Sequence, residues 1–168
     1  MKLSEVEARA RLAAHHHGVF CSLHPERGVD AVPCIYAVDE AGHVGVPVDR
    51  VKPKASMRLQ RERNLEADPR GTLLVEHWDE DDWTRLWWVR AQLLVERDPA
   101  DAVVADLADR LAGAYAQYRD KPFESVMVLR VVGVTGWAAT DDPRVVSATR
   151  EIAAPAASIF ALIADPSE

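Results

Sequence analysis

The 168-residue chain contains only two cysteines and no apolar run that approaches the about 18 residues of a membrane-spanning helix. We therefore predict no membrane span. The first 18 residues lack the apolar core of a secretion signal, so a cytoplasmic location is expected. Cys21 and Cys34 lie in apolar, strand-like runs, where they are either reduced core residues or a chance pair.

The sequence also lacks the motifs that mark several common active sites. It has no glycine-rich dinucleotide-binding or phosphate-binding loop and no nucleophile elbow. Nothing in the spacing of serine, histidine and acidic residues marks a nucleophile, so no catalytic residue is assigned. The adjacent His15, His16 and His17 do not share a helix face, and no cysteine or carboxylate follows at ligand spacing. No metal site is predicted.

Charge and length restrict the class of protein. The chain has 20 Lys and Arg against 27 Asp and Glu, a formal charge of −7. This acidity argues against general nucleic-acid binding, which requires a broad positive surface. A chain of this length fits one domain with a sizeable core. Its composition, 48% apolar, is that of an ordinary globular protein.

One segment runs against the overall acidity. Residues 48–64, VDRVKPKASMRLQRERN, carry two acids, Asp49 and Glu62, and a local formal charge of +4. The six basic residues are Arg50, Lys52, Lys54, Arg58, Arg61 and Arg63. A basic segment in an acidic chain suggests a bound anion.

The second half of this segment predicts a helix over residues 56–67, with Ser56 as its N-cap. A loop that leads into a helix N-terminus offers free N–H groups and the positive end of the helix dipole to an anion. The positive charges of Lys52 and Lys54 interact unfavourably with that end of the dipole, and a bound phosphate would reverse this penalty. The alternative is a solvated face with ion pairs such as Glu62 with Arg58, and the residues alone leave both open. Nucleic acid is a weaker third interpretation, because the patch is small.

Hydrophobic periodicity predicts a small β-barrel decorated by helices. Ser4 and Glu7 form a capping box for the first helix. Proline has no backbone N–H to donate to a neighbouring strand, so Pro33 and Pro47 are expected at a sheet edge or at a β-bulge. The predicted order is a helix over 4–14, strands over 18–23, 29–38 and 43–48, the helix over 56–67, strands over 72–78 and 83–96, a helix capped by residue 98 that runs to about 118, and a strand over 125–137.

Four of the five tryptophans lie between residues 78 and 88. On one continuous strand, Trp83 and Trp87 face one side and Trp88 and Arg90 face the other. One face can fill a barrel, and the other requires a partner chain or a flat ligand. The acidic run over residues 79–82 predicts an exposed hairpin turn.

Several blocks in this order resemble a known family. They are VKPKASMRLQRERNLEADPRGTLLVEH, DDWTRLWWVRA, YAQYRDKPF and a final GW. Together they resemble the pyridoxamine-phosphate-oxidase-like family, the FMN-binding split β-barrel proteins. The most similar branch is the actinobacterial one that uses the deazaflavin coenzyme F420. The resemblance covers about residues 1–140.

The resemblance implies a mainly β fold, a six-stranded Greek-key split barrel that forms a homodimer with two interfacial cofactor sites. By position, it implies phosphate contacts from Arg50, Lys52, Lys54 and Ser56, with Arg58, Arg63 and Asn64 as neighbours. Pro33, Ile35 and Val48 match strand positions that line the flat ring. Trp88 and Arg90 belong to the long hairpin near the interface.

The implied function is an F420H2-dependent reductase that passes a hydride to an organic acceptor. An FMN-dependent oxidase or reductase, a non-catalytic F420-binding protein, and a structural dimer with a solvated basic patch are the alternatives. The barrel domain is expected over residues 1–142. The tail over 143–168 resembles the opening of a START or polyketide-cyclase domain. Pro47, the two cysteines and the three histidines depart from the family pattern.

Overall fold

The computed structural model describes residues 1–50 and 58–140, which form a mainly β fold with helices packed around it. The helices are α1 (Glu5–Ala14), α2 (Gln60–Ala67) and α3 (Asp101–Ala114), with 3₁₀ turns at Trp83–Arg85 and Ala116–Tyr118. The strands are β1 (His17–His24), β2 (Gly28–Ile35), β3 (Ala37–Val38), β4 (His43–Asp49), β5 (Arg70–His77), β6 (Trp87–Val95) and β7 (Phe123–Ala138).

The strands form one antiparallel sheet in the order β2-β1-β5-β6-β7-β4-β3. Its two edge strands, β2 and β3, are consecutive along the chain and are separated only by Tyr36. The segment that contains β2 and β3 therefore pairs with β1 through its first part and with β4 through its second, which requires the sheet to curl. This curl makes the split barrel.

Tyr36 is the residue at which the predicted strand over 29–38 divides in two. Its ring is fully buried, and its hydroxyl donates to the Leu12 carbonyl of α1 at 2.8 Å. The six strands expected from the sequence are therefore seven in the described residues. Burial of Tyr36 holds the bend at which the chain changes partners.

Alternation of side chains along the strands builds the barrel core. Phe20 of β1, Leu73 of β5 and Val89 of β6 are fully buried on one face, because successive strand residues point to opposite sides. A second core lies under α3, where Leu107 and Leu111 are fully buried against the outside of the barrel. The barrel predicted from periodicity is confirmed.

The first helix forms as predicted. The Ser4 backbone N–H donates to the Glu7 carboxylate at 2.8 Å, and the Glu7 N–H donates to the Ser4 hydroxyl at 3.3 Å. This reciprocal capping box satisfies two donors that the first turn leaves free. α1 then buries Ala8 and Leu12 against the sheet.

The predicted start of the second helix at Ser56 is wrong. α2 begins at Gln60, and its N-cap Leu59 is extended at φ −77° and ψ 152°. The Glu62 carboxylate accepts the Leu59 N–H at 2.7 Å, and its negative charge also favours the positive end of the dipole. An acid in the first turn therefore sets the start of α2. Arg58 precedes the helix.

Three other predicted boundaries, in two elements, are also wrong. α3 begins at Asp101 with Ala100 as its N-cap, so Asp98 and Pro99 lie before it, and it ends where Tyr115 is extended. β6 begins at Trp87, because the residues from Trp83 form a 3₁₀ turn. The predicted alternation of faces therefore holds only from Trp87 onward.

Both prolines occupy the positions predicted for them. Pro33 lies in the edge strand β2. Pro47 lies in β4 beyond the two residues that pair with β3, and beside a register shift at Val48 and Asp49. No helix in the described ranges is long and apolar enough to cross a membrane. The predicted boundary at 142–143 and the tail lie outside the described residues.

The turn between β3 and β4 depends on a buried carboxylate. Asp39 accepts the His43 backbone N–H and contacts the His43 imidazole, each at 2.7 Å. Burial alone would raise the pKa of Asp39, but these hydrogen bonds outweigh it and the pKa lies below its ordinary value. A depressed pKa stabilises the folded chain above the unfolded value of about 3.9 and loses that effect as the pH falls.

We expect Asp39→Asn to lower the free energy of unfolding at pH 7 by about 1–2 kcal/mol, because it removes the charged acceptor. Urea unfolding between pH 3 and pH 7 measures this, with Glu40→Gln, an exposed neighbour, as the control. The gap between Asp39→Asn and wild type should shrink below about pH 4. A gap that is constant across this range would contradict the account.

Candidate anion site between β4 and α2

The predicted basic segment connects the end of β4 to the start of α2. Lys52, Lys54 and Ser56, which the resemblance assigns to a cofactor phosphate, lie outside the described residues. The structure therefore describes the two flanks of the site, Arg50 on one side and the residues from Arg58 on the other.

Two of the predicted cations have carboxylate partners. Arg50 donates from Nε to Glu124 of β7 at 2.6 Å, and its backbone N–H donates to the Pro122 carbonyl. Arg58 pairs with Glu66 of α2, not with Glu62 as the sequence suggested. Both guanidinium groups are more than half exposed, so these are surface ion pairs.

Arg61 differs from its neighbours because it points inward. Its Nη2 donates to the Pro47 carbonyl of β4 at 3.0 Å, while its Nε is buried without a partner. It forms no ion pair with any carboxylate among the described residues. Burial lowers the pKa of Arg61, and nearby Cys34 is the first of the groups that oppose this shift. A cation with so few partners is costly in a protein unless an anion joins it.

A second polar contact lies beside Arg61. The buried Tyr118 hydroxyl donates to the Asp49 carboxylate at 2.9 Å. Burial raises the pKa of Tyr118, and the Asp49 carboxylate raises it further. The Tyr118 hydroxyl therefore keeps its proton and remains a donor at neutral pH. Burial also raises the pKa of the Cys34 thiol to about 11, so the thiol stays neutral. Arg61, Asp49 and Tyr118 therefore form a polar cluster at this end of the barrel.

The predicted neighbours Arg63 and Asn64 lie on different sides of α2. Arg63 is exposed, whereas Asn64 is fully buried. The Asn64 amide donates to Ser22 and Asp30, each at 2.9 Å, and its carbonyl accepts from Gln60 at 2.9 Å. With these partners inside the chain, Asn64 fixes α2 against β1 and β2.

The strand positions predicted to line a flat ring lie at the same end of the barrel. Pro33 and Ile35 belong to β2, and Val48 belongs to β4, which β2 approaches through the curl of the sheet. Pro33 is exposed, Ile35 is half-buried and Val48 is buried.

Trp88 and Arg90 lie on β6, which is three strands from β2 in the sheet. Trp88 pairs with Trp137 near the end of β7, whereas Val48 pairs with Ser125 near its start. Those β7 positions are twelve residues apart, about 40 Å along the strand at about 3.3 Å per residue. The Arg90 guanidinium lies over the Trp88 ring at 5.9 Å. Across the sheet the route is shorter, because Pro33 pairs with Val19, Val19 with Leu74 and Leu74 with Arg90, three strand spacings or about 14 Å in all.

The face that carries Trp88 mixes apolar and charged side chains, because Glu76 pairs with Trp88 and Arg90 pairs with Leu74. Its other members include Val19 and Leu74, both half-buried, and Leu23 and Trp137, which are 38% and 39% exposed. The Thr135 hydroxyl on β7 is buried without a partner. Several large apolar side chains are therefore exposed on this face among polar ones.

The three histidines have aromatic or strand contacts. The His15 ring packs edge-on against Trp87 at 4.6 Å, the His16 ring lies 6.4 Å from Tyr115, and His17 begins β1. Across residues 1–50 and 58–140, no group of three or more histidines, cysteines or acids is arranged to hold a metal ion.

Sequence reasoning counted Arg61 among the basic residues but gave it no role, and it missed Asp49 and Tyr118. Spacing alone does not show which arginine of a basic helix turns inward. Tyr118 belongs to the YAQYRDKPF block of the resemblance, and this block is the signal in the sequence that could have indicated it.

Solved structures share this fold. An FAD-binding protein from Mesorhizobium loti has a TM-score of 0.61 and 18% identity, over 81% of this chain and 93% of its own. A candidate pyridoxamine 5'-phosphate oxidase from Corynebacterium glutamicum has a TM-score of 0.52 and 16% identity, over 81% and 94%. A heme-binding protein from Mycobacterium smegmatis has a TM-score of 0.58 and 22% identity, over 79% and 57%.

No family profile and no curated protein matches the chain. At these identities the structural similarity establishes the split-barrel fold that the sequence predicted. The neighbours are named for both a flavin and a heme, so the fold by itself does not choose a cofactor.

We expect Asn64→Ala to lower the free energy of unfolding by about 1–3 kcal/mol, because it leaves the buried Ser22 hydroxyl and the Asp30 carboxylate with one partner fewer. Urea denaturation measures the change. Arg63→Ala, on the exposed side of the same helix, is the control and should change it by less than about 0.5 kcal/mol. Equal effects of the two variants would contradict the structural role of Asn64.

Proposed function

We propose that the chain is an F420H2-dependent reductase whose cofactor phosphate binds between β4 and α2. The observation that supports this best is Arg61, a half-buried guanidinium with one hydrogen bond and a buried, unpartnered Nε. A phosphate would supply the acceptor oxygens that the described chain does not. Arg61 therefore joins the phosphate ligands taken from the sequence, which are Arg50, Lys52, Lys54 and Ser56, with Arg58 and Arg63 beside them.

The ion pairs of the flanks do not oppose this proposal. Exposed pairs such as Arg50 with Glu124 and Arg58 with Glu66 are worth about 0–1 kcal/mol. The negatively charged phosphate of the cofactor forms stronger, charge-assisted hydrogen bonds to arginine. The same cations can therefore turn from their carboxylates to a bound phosphate at little cost.

The flat ring is proposed to lie against Pro33, Ile35 and Val48, at the barrel end where β2 approaches β4. Apolar side chains suit the ring faces, and the Arg61 cluster lies beside them for the charged end. Asn64 acts indirectly, because it holds α2, and with it Arg61, in place.

Trp88 and Arg90 enter the proposal through a second copy of the chain. They lie on β6, three strands from β2, and the resemblance assigns them to the hairpin near a dimer interface, so the partner is proposed to supply them to the ring. The face around Leu74 and Trp137, with its exposed apolar side chains, is the proposed contact for that partner. A homodimer with two composite sites follows.

The reduced deazaflavin supplies the hydride when it is bound. The chain's own residues supply position and electrostatics: the cations neutralise the phosphate, and the apolar strands exclude water from the ring. The acceptor gains two electrons as a hydride and takes its proton from solvent. No side chain of the described residues is assigned as an acid or base.

FMN is the alternative cofactor, and the FAD-binding neighbour supports a flavin in this fold. The six basic residues favour the longer anionic tail of F420 over the single phosphate of FMN. Titration of the purified chain with each cofactor separates them, and stopped-flow oxidation of bound F420H2 by quinones and enones tests turnover. F420 binding without turnover would support a non-catalytic binding protein. Tight FMN binding with none for F420 would overturn the choice.

We expect Arg61→Met to weaken F420 binding about tenfold or more, since it removes one charge-assisted contact worth about 1.5–3 kcal/mol. Its free energy of unfolding should stay within about 1 kcal/mol of wild type, because losing the desolvated charge offsets losing the bond to Pro47. Fluorescence titration and urea unfolding measure the two effects. Arg85→Met, at an exposed position on the 3₁₀ turn Trp83–Arg85 outside the site, is the control. Unchanged F420 affinity in Arg61→Met would remove Arg61 from the site.

We expect Leu74→Glu to convert a dimer to a monomer, because it places a new carboxylate on the face proposed to contact the partner. Sedimentation velocity measures the oligomeric state, and the monomer should bind F420 at least about tenfold more weakly. Gln117→Glu adds the same charge at an exposed position and is the control. A monomeric Leu74→Glu variant that binds F420 like wild type would show that one chain forms the whole site.

A further inference from the structure

One carboxylate is fixed beside the candidate anion site. Asp49 ends β4, two residues after Pro47, whose carbonyl accepts from the Arg61 guanidinium at 3.0 Å. The Asp49 carboxylate accepts the Tyr118 hydroxyl at 2.9 Å, and Tyr118 is 4% exposed. The Tyr118 ring packs edge-on against Phe123, which is the cross-strand partner of Asp49 on β7. Strand pairing and a buried donor therefore fix the position of this negative charge.

The groups around Arg61 oppose an excess of negative charge. Among the described residues, those that act electrostatically on its guanidinium are Cys34 on β2, Glu62 on α2, Asp49 on β4 and Tyr118 after α3, and no histidine is among them. Because Cys34 and Tyr118 keep their protons at neutral pH, the two carboxylates are the charged members. Their charge of −2 and the +1 of Arg61 give −1 for these groups. Arg61 therefore attracts one negative charge, and the carboxylates oppose a second.

The charge of Asp49 is not explained by the fold. Glu62 has a structural role, because its carboxylate accepts the Leu59 N–H at the start of α2. The bond from Tyr118 does not require a charge on Asp49, since the carbonyl oxygen of an asparagine would accept the same hydrogen. A carboxylate in this half-buried position loses part of its hydration. This cost points to a role for the charge toward the ligand.

Phosphate esters differ in the charge that they bring to Arg61. A phosphodiester carries one negative charge at neutral pH, whereas a phosphomonoester has a second pKa of about 6 and carries a charge of about −1.5 to −2. The basic segment attracts both, but a carboxylate repels the doubly charged ester about twice as strongly. F420 presents a diester, because its phosphate joins the side chain of the ring to the acidic tail. FMN presents a monoester.

From these contacts we infer that Asp49 is a specificity-determining residue, which makes the anion site select a singly charged phosphodiester over a doubly charged phosphomonoester. The inference rests on the proposed function and assigns the preference for F420 over FMN to one side chain. In this account the cations of the basic segment attract either ester, and Asp49 discriminates between them.

The test uses two probes with the same ring, the 5'-phosphate of the deazaflavin riboside and its methyl phosphodiester. At pH 8, where the monoester carries two charges, the wild-type chain should bind the diester at least about tenfold more tightly. At pH 5.5 the monoester is mostly singly charged, so the ratio of the two Kd values should fall to within about twofold. Fluorescence titration measures both ratios. Equal affinities at pH 8, or a ratio that does not change with pH, would overturn the inference.

A variant assigns the effect to the side chain. Asp49→Asn keeps an acceptor for Tyr118 and removes the charge, so it should bind the two probes within about threefold of each other at pH 8. Asp106→Asn is the matched control, because it removes the same charge from α3, where Asp106 pairs with Arg110. It should retain the wild-type ratio. An Asp49→Asn variant that also retains this ratio would show that Asp49 does not set the specificity.

Turnover separates this inference from the proposed function. The expected Kd ratios without any oxidation of bound F420H2 would refute the reductase alone. Turnover of F420H2 with equal affinity for the two probes at pH 8 would refute the selectivity alone. Absence of binding by both probes would overturn the inference together with the anion site.

Discussion

The bond from the Arg61 guanidinium to the Pro47 carbonyl joins α2 to β4 on either side of the basic segment. A charge in this half-buried position costs free energy, and one neutral hydrogen bond offsets only part of that cost. Stability alone would replace Arg61 by an apolar side chain. Its presence, beside a tyrosine and a carboxylate that are already bonded to each other, is therefore best explained by an anionic ligand.

The barrel provides the frame for this cluster. Because Tyr36 bends the chain between β2 and β3, the sheet curls and brings β2 to β4. Asn64 then fixes α2 across the end of the barrel, which aims Arg61 at β4. Local sequence signals explain each helix and strand, but Arg61, Asp49 and Tyr118 come together only when the sheet curls into the barrel. Trp88 and Arg90 lie on β6, three strands from β2, and the composite, two-chain site is a proposal that takes these two residues from a partner.

Local signals in the sequence predicted most of the fold. Alternation around Phe20, Leu73 and Val89 marks strands, and the Ser4–Glu7 box marks the first helix. The start of α2 was missed, because the Glu62 carboxylate outweighs Ser56 as the signal for the first turn. The break at Tyr36 was missed because it depends on strands far away in the chain. For the same reason the sequence shows a basic segment but not that Arg61 turns inward.

The measurement that tests the account most directly compares F420 with the deazaflavin riboside that lacks the phosphate and its acidic tail. Both carry the same tricyclic ring, so the difference in Kd isolates the anion. The account predicts that F420 binds at least about 100-fold more tightly, equivalent to about 2.7 kcal/mol, and that salt reduces this difference. Equal affinity for the two compounds at low salt would contradict an anion site between β4 and α2.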